Sequence, residues 1–144
     1  MKNIFLLLFF FILSFSSHSK QNEKFYSDKF CVETLFGETQ FEIIENNKIV
    51  AYVDCKTKTQ AVEFGWSDGD IYNDIGQSLY YSIKTGKSPT IILLIDKLDF
   101  NNIIRKTKQN IKKFEEVNKA FNLNINLILL EVPDGKIINK EDLK

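Results

Sequence analysis

The sequence predicts an α/β fold, with a mixed β-sheet flanked by helices and elements in the order α-β-β-β-α-β-α-β. Three observations carry this. Two long apolar runs, Thr90 to Ile95 and Asn124 to Val132, suit strands buried on both faces. Segments with helical periodicity precede each of them. Ahead of these lie three shorter strand-like segments separated by turn residues, the arrangement of a β-meander.

Taken in order, Gln21 to Phe36 carries Phe25, Phe30, Val32 and Phe36 among polar residues and predicts a first helix, which Gly37 ends. Gln40 to Glu45 predicts a short strand, followed by a turn at Asn46-Asn47. Lys48 to Cys55, rich in Ile, Val and Tyr, and Gln60 to Trp66 predict two more strands, linked through Lys56 to Thr59. Ser67-Asp68-Gly69-Asp70 is turn chemistry, with Asp70 placed to cap a helix from Ile71 to Thr85. That helix has Ile71, Ile75, Leu79 and Ile83 on one stripe and ends at Gly86. Asp99 is placed to cap a long helix whose apolar seam is Phe100, Ile104, Ile111, Phe114 and Phe121. Pro133-Asp134-Gly135 closes the last strand.

The first 19 residues form a separate region. Lys2 supplies a positive charge, Ile4 to Leu13 is unbroken apolar sequence, and Ser14 to Ser19 is mostly small and polar. Ten helical residues reach ~15 Å, about half of a ~30 Å hydrocarbon core. The pattern predicts a secretory signal peptide over residues 1–19, a single domain over 20–144, and export to the periplasm or beyond the cell. An uncleaved anchor is the alternative. No cysteine lies at the cleavage region, which argues against a lipoprotein anchor, and no later stretch is long and apolar enough to span a membrane.

Leader removal would take the only histidine, His18, with it. Histidine-based acid-base chemistry, Ser-His-Asp or Cys-His nucleophiles and the usual zinc sites are then excluded. Any metal would be held by oxygen ligands, which favours a hard cation such as magnesium. The formal net charge is +0, so no global basic field attracts nucleic acid. The two cysteines, Cys31 and Cys55, suit a disulfide in an exported chain; two buried thiols are the alternative.

Strand alternation sorts the central acids. In Lys48 to Cys55, Ile49, Ala51, Val53 and Cys55 share one face and Val50, Tyr52 and Asp54 the other. In Gln60 to Trp66, Val62, Phe64 and Trp66 oppose Ala61, Glu63 and Gly65. A hairpin would set Asp54 beside Glu63, a pair able to bind a divalent cation and activate water. Asp70, Asp74, Gln77 and Tyr81 follow on one helical stripe.

Val-Asp-Cys at Asp54, Ala-Val-Glu-Phe at Glu63 and Gln77-Ser-Leu-Tyr-Tyr81 together resemble the PD-(D/E)XK phosphodiesterase superfamily. In that restriction-endonuclease-like α-β-β-β-α-β core, a helix bearing a Glu precedes three strands. The second strand supplies an Asp and the third a Glu-x-Lys. The exonuclease branch adds Gln-x-x-x-Tyr on the next helix, and the wording of these segments also looks like a group of small bacterial members. The resemblance covers roughly Glu33 to Ile95. It implies a metal-dependent nuclease with magnesium at Asp54 and Glu63, with Glu33 (or Glu42) as the first-helix acid and Gln77 and Tyr81 at the site. Two departures stand out. Val53 replaces the proline before the Asp, and Gly65 replaces the lysine that positions the attacking water. Lys56 and Lys58 are the nearby lysines in the hairpin turn.

Residues two apart on a helix point in nearly opposite directions, so Glu33 at the site would turn Cys31 toward Cys55. Arg105, Lys108 and Lys112 share one side of the long helix, either to track a phosphate backbone or as a solvated face. Tyr72, Tyr80 and Tyr81 are candidates for base stacking or for packing on the sheet. Two functions follow: an exported nuclease acting on nucleic acid, or a binding module that kept the fold and lost the lysine.

Overall fold

The computed structural model describes residues 23–144, so the expected leader lies outside the described residues. In chain order the elements are α1 (Glu23–Glu33), β1 (Glu38–Glu45), β2 (Lys48–Lys56), β3 (Gln60–Trp66), α2 (Ile71–Thr85), β4 (Ser88–Asp96), α3 (Phe100–Ala120), β5 (Asn126–Val132) and β6 (Lys136–Ile138). A 3-10 turn, Lys140–Asp142, follows. The six strands form one mixed sheet in sequence order, flanked by the three helices. β1, β2 and β3 are an antiparallel meander, β3, β4 and β5 are parallel, and β6 returns antiparallel along β5. Parallel neighbours need crossovers, which α2 and α3 supply.

β4 shows why the apolar run from Thr90 to Ile95 belongs in the middle. Ile91, Leu93 and Ile95 pack with Ile71, Ile75, Ile103, Ile111 and Phe114, the inner faces of α2 and α3. Ile92 and Leu94 pack the opposite way, with Phe30 and Cys31 of α1, Val62 and Phe64 of β3 and Leu130 of β5. The sheet thus has α1 on one face and the two crossover helices on the other.

The ends of α2 follow the expected chemistry. Asp70 accepts hydrogen bonds from the amides of Tyr72 (3.1 Å) and Asn73 (3.4 Å). Gly86 closes the helix with φ 68°. Elsewhere the structure corrects the sequence reading. α1 stops at Glu33, short of Phe36, and Phe36 itself has φ 51°. Gly37 serves a different purpose: a Cβ there would lie 2.6 Å from Cys55 Sγ and 2.9 Å from Cys31 Sγ. Those two cysteines form a disulfide that ties α1 to β2 across the sheet face. Ile83 and Phe121, expected on the apolar stripes, are exposed at the C-terminal ends of their helices. Asp99 makes no side-chain cap to the α3 backbone and accepts from Asn102 Nδ2 at 2.5 Å. β6, unanticipated, is only three residues long and mostly exposed. No described helix is long and apolar enough to cross a membrane.

The disulfide spans 24 residues of sequence. Loop-closure entropy of that size corresponds to about 3 kcal/mol. Urea unfolding of the protein carrying Cys31→Ala and Cys55→Ala should show a loss of roughly that amount against the oxidised parent. An unchanged midpoint would mean that packing alone holds α1.

Candidate functional site

The site begins where β2 and β3 stop pairing. Their ladder is confined to Cys55 with Val62 and Lys56 with Ala61. One residue further, the Phe64 amide donates to the side-chain Oδ2 of Asp54 at 3.0 Å. A carboxylate has taken over from the ladder, and the two strands diverge. The distortion extends to β1, where Gln40, facing Asp54 between the Thr39–Cys55 and Phe41–Val53 pairs, has φ 52°. Strict alternation breaks at the same point. Cys55 packs with Cys31 and Val62, whereas Val53, two residues earlier, packs with Ala61 and Tyr81. The expectation of one shared face for Val53 and Cys55 therefore fails, because simple alternation holds only while the ladder is regular.

Beside Asp54 on β3 is Glu63, only 5 % exposed. Asp74, one turn into α2, is 7 % exposed. Between them sits Gly65, at the position the resemblance gives to lysine. A Cβ on Gly65 would lie 2.4 Å from Asp74 Oδ2, so the Asp74 carboxyl fills the space of the missing side chain. Neither Asp74 Oδ2 nor Glu63 Oε2, both buried, has a hydrogen-bond partner. Among the described residues, none of Asp54, Glu63 and Asp74 enters a salt bridge.

Three neighbouring acids, Glu63 and Asp74 buried and Asp54 half-buried, cannot all ionise cheaply. Burial first, and then the charges of Asp54 and Asp74, push Glu63 up to about 10. Burial, then the charges of Glu23 and Asp70, push Asp74 up to about 7. Asp54 is raised by burial, with the Phe64 amide and a hydrogen bond from Glu63 opposing it. Burial and like charge therefore favour the protonated form of Glu63 beside the Asp54 carboxyl. Burial and the Asp54 charge also raise Glu23, in the first turn of α1.

Gln77 and Tyr81 reach the same place from α2. The Tyr81 hydroxyl donates to Gln77 Oε1 at 2.9 Å, and burial, then Glu63 and Asp54, raise its pKa. Glu63, Asp74, Gln77 and Glu23 line a cavity of about 760 Å³, which Lys106 and Lys113 of α3 also line. Trp66 also lines it, its buried Nε1 lacking a partner. Asn110 Nδ2 anchors the rim by donating to the carbonyls of Ser67 (2.9 Å) and Gly69 (3.1 Å). The Ser67 and Thr107 hydroxyls meet at 2.8 Å just behind it.

The structure thus brings Asp54, Glu63, Gln77 and Tyr81 together, but not Glu33. That residue is exposed and lines a separate cavity with Val132 and Pro133. The direction of α1 explains this. Phe30 contacts Phe64, and Tyr26 contacts Trp66, each with ring centroids 6.5 Å apart. The helix therefore runs back along β3 and delivers its N-terminal Glu23, while Glu33 lies on the other side of the disulfide. Glu42 is exposed on β1, paired with Tyr52. Lys56 is engaged by Glu38 at 3.4 Å and lies over the Phe41 ring; neither it nor Lys58 lines the cavity. Arg105, Lys108 and Lys112 also point elsewhere. Tyr80 packs away from the site, donating to Glu45, whereas Tyr72 lies on the cavity rim with Lys113 5.6 Å from its ring.

Sequence reasoning missed Glu23 and the structural weight of Asp74. For Glu23 no local signal existed, since only the tertiary path of α1 selects it. For Asp74 a signal was present: a glycine inside a strand marks a close approach by another group, and Asp74 already lay on the polar stripe.

The donor set consists of carboxylates, which suits a hard divalent cation. Among the described residues no three His, Cys, Asp or Glu groups converge closely enough to hold an ion alone. The arrangement fits a cation held by two carboxylates, with water and substrate oxygens completing its shell, as magnesium commonly is. Comparison of the chain with family models, with curated proteins and with solved structures finds no match.

Two measurements probe this packing. Gly65→Ala should destabilise by about 1–3 kcal/mol through overlap with Asp74. In a double-mutant cycle, Asp74→Ala should recover most of that loss, and simple additivity would refute the contact. The second measurement is pH dependence. Between 4.5 and about 10 the unfolded chain has lost the Glu63 proton that the folded chain keeps, so stability declines as pH rises. For Asp74 the corresponding window is 3.8 to about 7. Glu63→Gln should therefore raise the melting temperature at pH 8 and flatten its dependence on pH.

Proposed function

We propose that this chain is an exported, magnesium-dependent phosphodiesterase that hydrolyses nucleic acid on a restriction-endonuclease-like core. The observation that supports this reading best is the clustering of Asp54 and Glu63, from diverging strands, with the Gln77–Tyr81 pair of the next helix, beside a cavity that Glu63 and Gln77 line. Asp54 and Glu63 would hold the cation, with Glu23 replacing Glu33 as the acid from the first helix. A cation bound there would polarise the phosphate and lower the pKa of a bound water. The chain's own residues have separate tasks. Asp54 is oriented by the Phe64 amide. The Tyr81 hydroxyl, close to Glu63, is held by Gln77. Lys106 and Lys113, which line the same cavity, offer positive charge to a phosphate backbone.

One observation favours a second reading, a binding module without catalysis. The place of the water-positioning lysine is filled by another acid, Asp74, which cannot offset negative charge in a transition state. Mature protein incubated with single- and double-stranded DNA and RNA, with magnesium or manganese, separates the two. On the first reading cleavage occurs, needs the metal and falls to background in Asp54→Ala. Cleavage that survives the substitution would remove the site from consideration, and absence of cleavage with every substrate would favour the module.

A further inference from the structure

Asp74 is the residue the resemblance leaves unexplained. It is more than nine-tenths buried, yet Oδ2 has no donor, and the same holds for Glu63 Oε2. Both residues line the one cavity, and the carboxyl of Asp74 stands directly over Gly65, two residues along β3 from Glu63. Buried acids are ordinarily paired or bound to metal, because an unpartnered carboxylate costs several kcal/mol or more to desolvate. Nothing within the described residues supplies that pairing, since neither acid takes part in a salt bridge.

We propose that Asp74 is a ligand to a divalent cation, sharing it with Glu63 in the cavity that both residues line. This rests on the phosphodiesterase reading and extends it, moving the inner edge of the cation site from β2 toward α2. Three features agree with the assignment. Only glycine at position 65 lets a carboxyl from α2 approach β3 so closely, so the loss of the lysine and the placement of Asp74 are one change. The free oxygens are hard donors without sulfur or imidazole nearby, which selects magnesium, manganese or calcium over zinc. Two carboxylates leave several coordination positions for water and phosphate oxygens, as a site that processes phosphodiesters requires.

The test is a titration of the folded protein with Mn2+, followed by calorimetry and by the electron paramagnetic resonance of the bound ion. The variants are Asp74→Asn, Asp74→Glu, Gly65→Ala and Asp54→Asn. The parent should bind Mn2+, with Mg2+ competing. Asp74→Asn should weaken binding by roughly 10–100-fold, a range typical even of outer-sphere losses at metal sites. Asp74→Glu, which keeps a carboxylate, should lie between the two. Gly65→Ala should weaken binding although it removes no ligand, because the new methyl displaces Asp74. Near-ultraviolet circular dichroism reports folding of each variant, and Asp74→Glu carries the test if Asp74→Asn does not fold. Unchanged affinity in Asp74→Asn, with affinity lost in Asp54→Asn, would overturn the role of Asp74 and leave the phosphodiesterase reading standing. A parent that binds no Mn2+ would overturn the inference outright, and the cleavage assay would then decide the wider reading separately.

Discussion

The hydrogen bond from the Phe64 amide to the Asp54 carboxylate governs the rest of this structure. A buried backbone N–H must find an acceptor, and here a side chain provides it in place of a β2 carbonyl. β2 and β3 are thereby released from each other after two paired positions. The release turns Val53 toward Ala61 and Tyr81, which seats the tyrosine of α2 next to Glu63. The cavity beside Glu63 is lined by β3, the loop after it, α2 and α3, with Glu23 of α1.

Such a site is a burden on stability. Among the described residues none of Asp54, Glu63 and Asp74 has a salt-bridge partner, and burial and mutual repulsion raise the pKa of Glu63. The remainder of the fold carries this load. β4 is buried on both faces and packs two separate apolar layers. The Cys31–Cys55 disulfide pins α1, and with it Glu23, to the strand that bears Asp54. Asn110 and Thr107, polar residues on the buried face of α3, hold the loop from Ser67 to Gly69 at the cavity rim. Rigid surroundings of this kind are what keep a cluster of acids in place when its members repel one another.

Much of the architecture was legible in the chain itself. Thr90 to Ile95 suits an interior strand, and Asp70 and Gly86 bracket α2 because a capping carboxylate and a left-handed glycine each act within one helical turn. The clustering of Asp54, Glu63, Gln77 and Tyr81 was readable from order and spacing. What escaped the sequence depended on contacts between distant segments. Glu33 and Glu23 are equally plausible acids in one short helix, and only the packing of Phe30 on Phe64 and Tyr26 on Trp66 sets which end meets the site. The cations along α3 look alike in sequence, yet Lys106 and Lys113 reach the cavity and Arg105, Lys108 and Lys112 do not.

By itself, the sequence determined the class of fold, the two crossover helices, and a described region whose only acid-base chemistry comes from oxygen, amine and phenol groups. These follow from local periodicity and composition, which act within a few residues. The tertiary structure alone decided that the Gly65 position is filled by the carboxyl of Asp74, and that Glu23 stands in the place expected of Glu33. Both outcomes arise from how β3 sits between helices on its two faces. A side chain's neighbours across that sheet are set by the direction in which each helix runs, which no local pattern encodes.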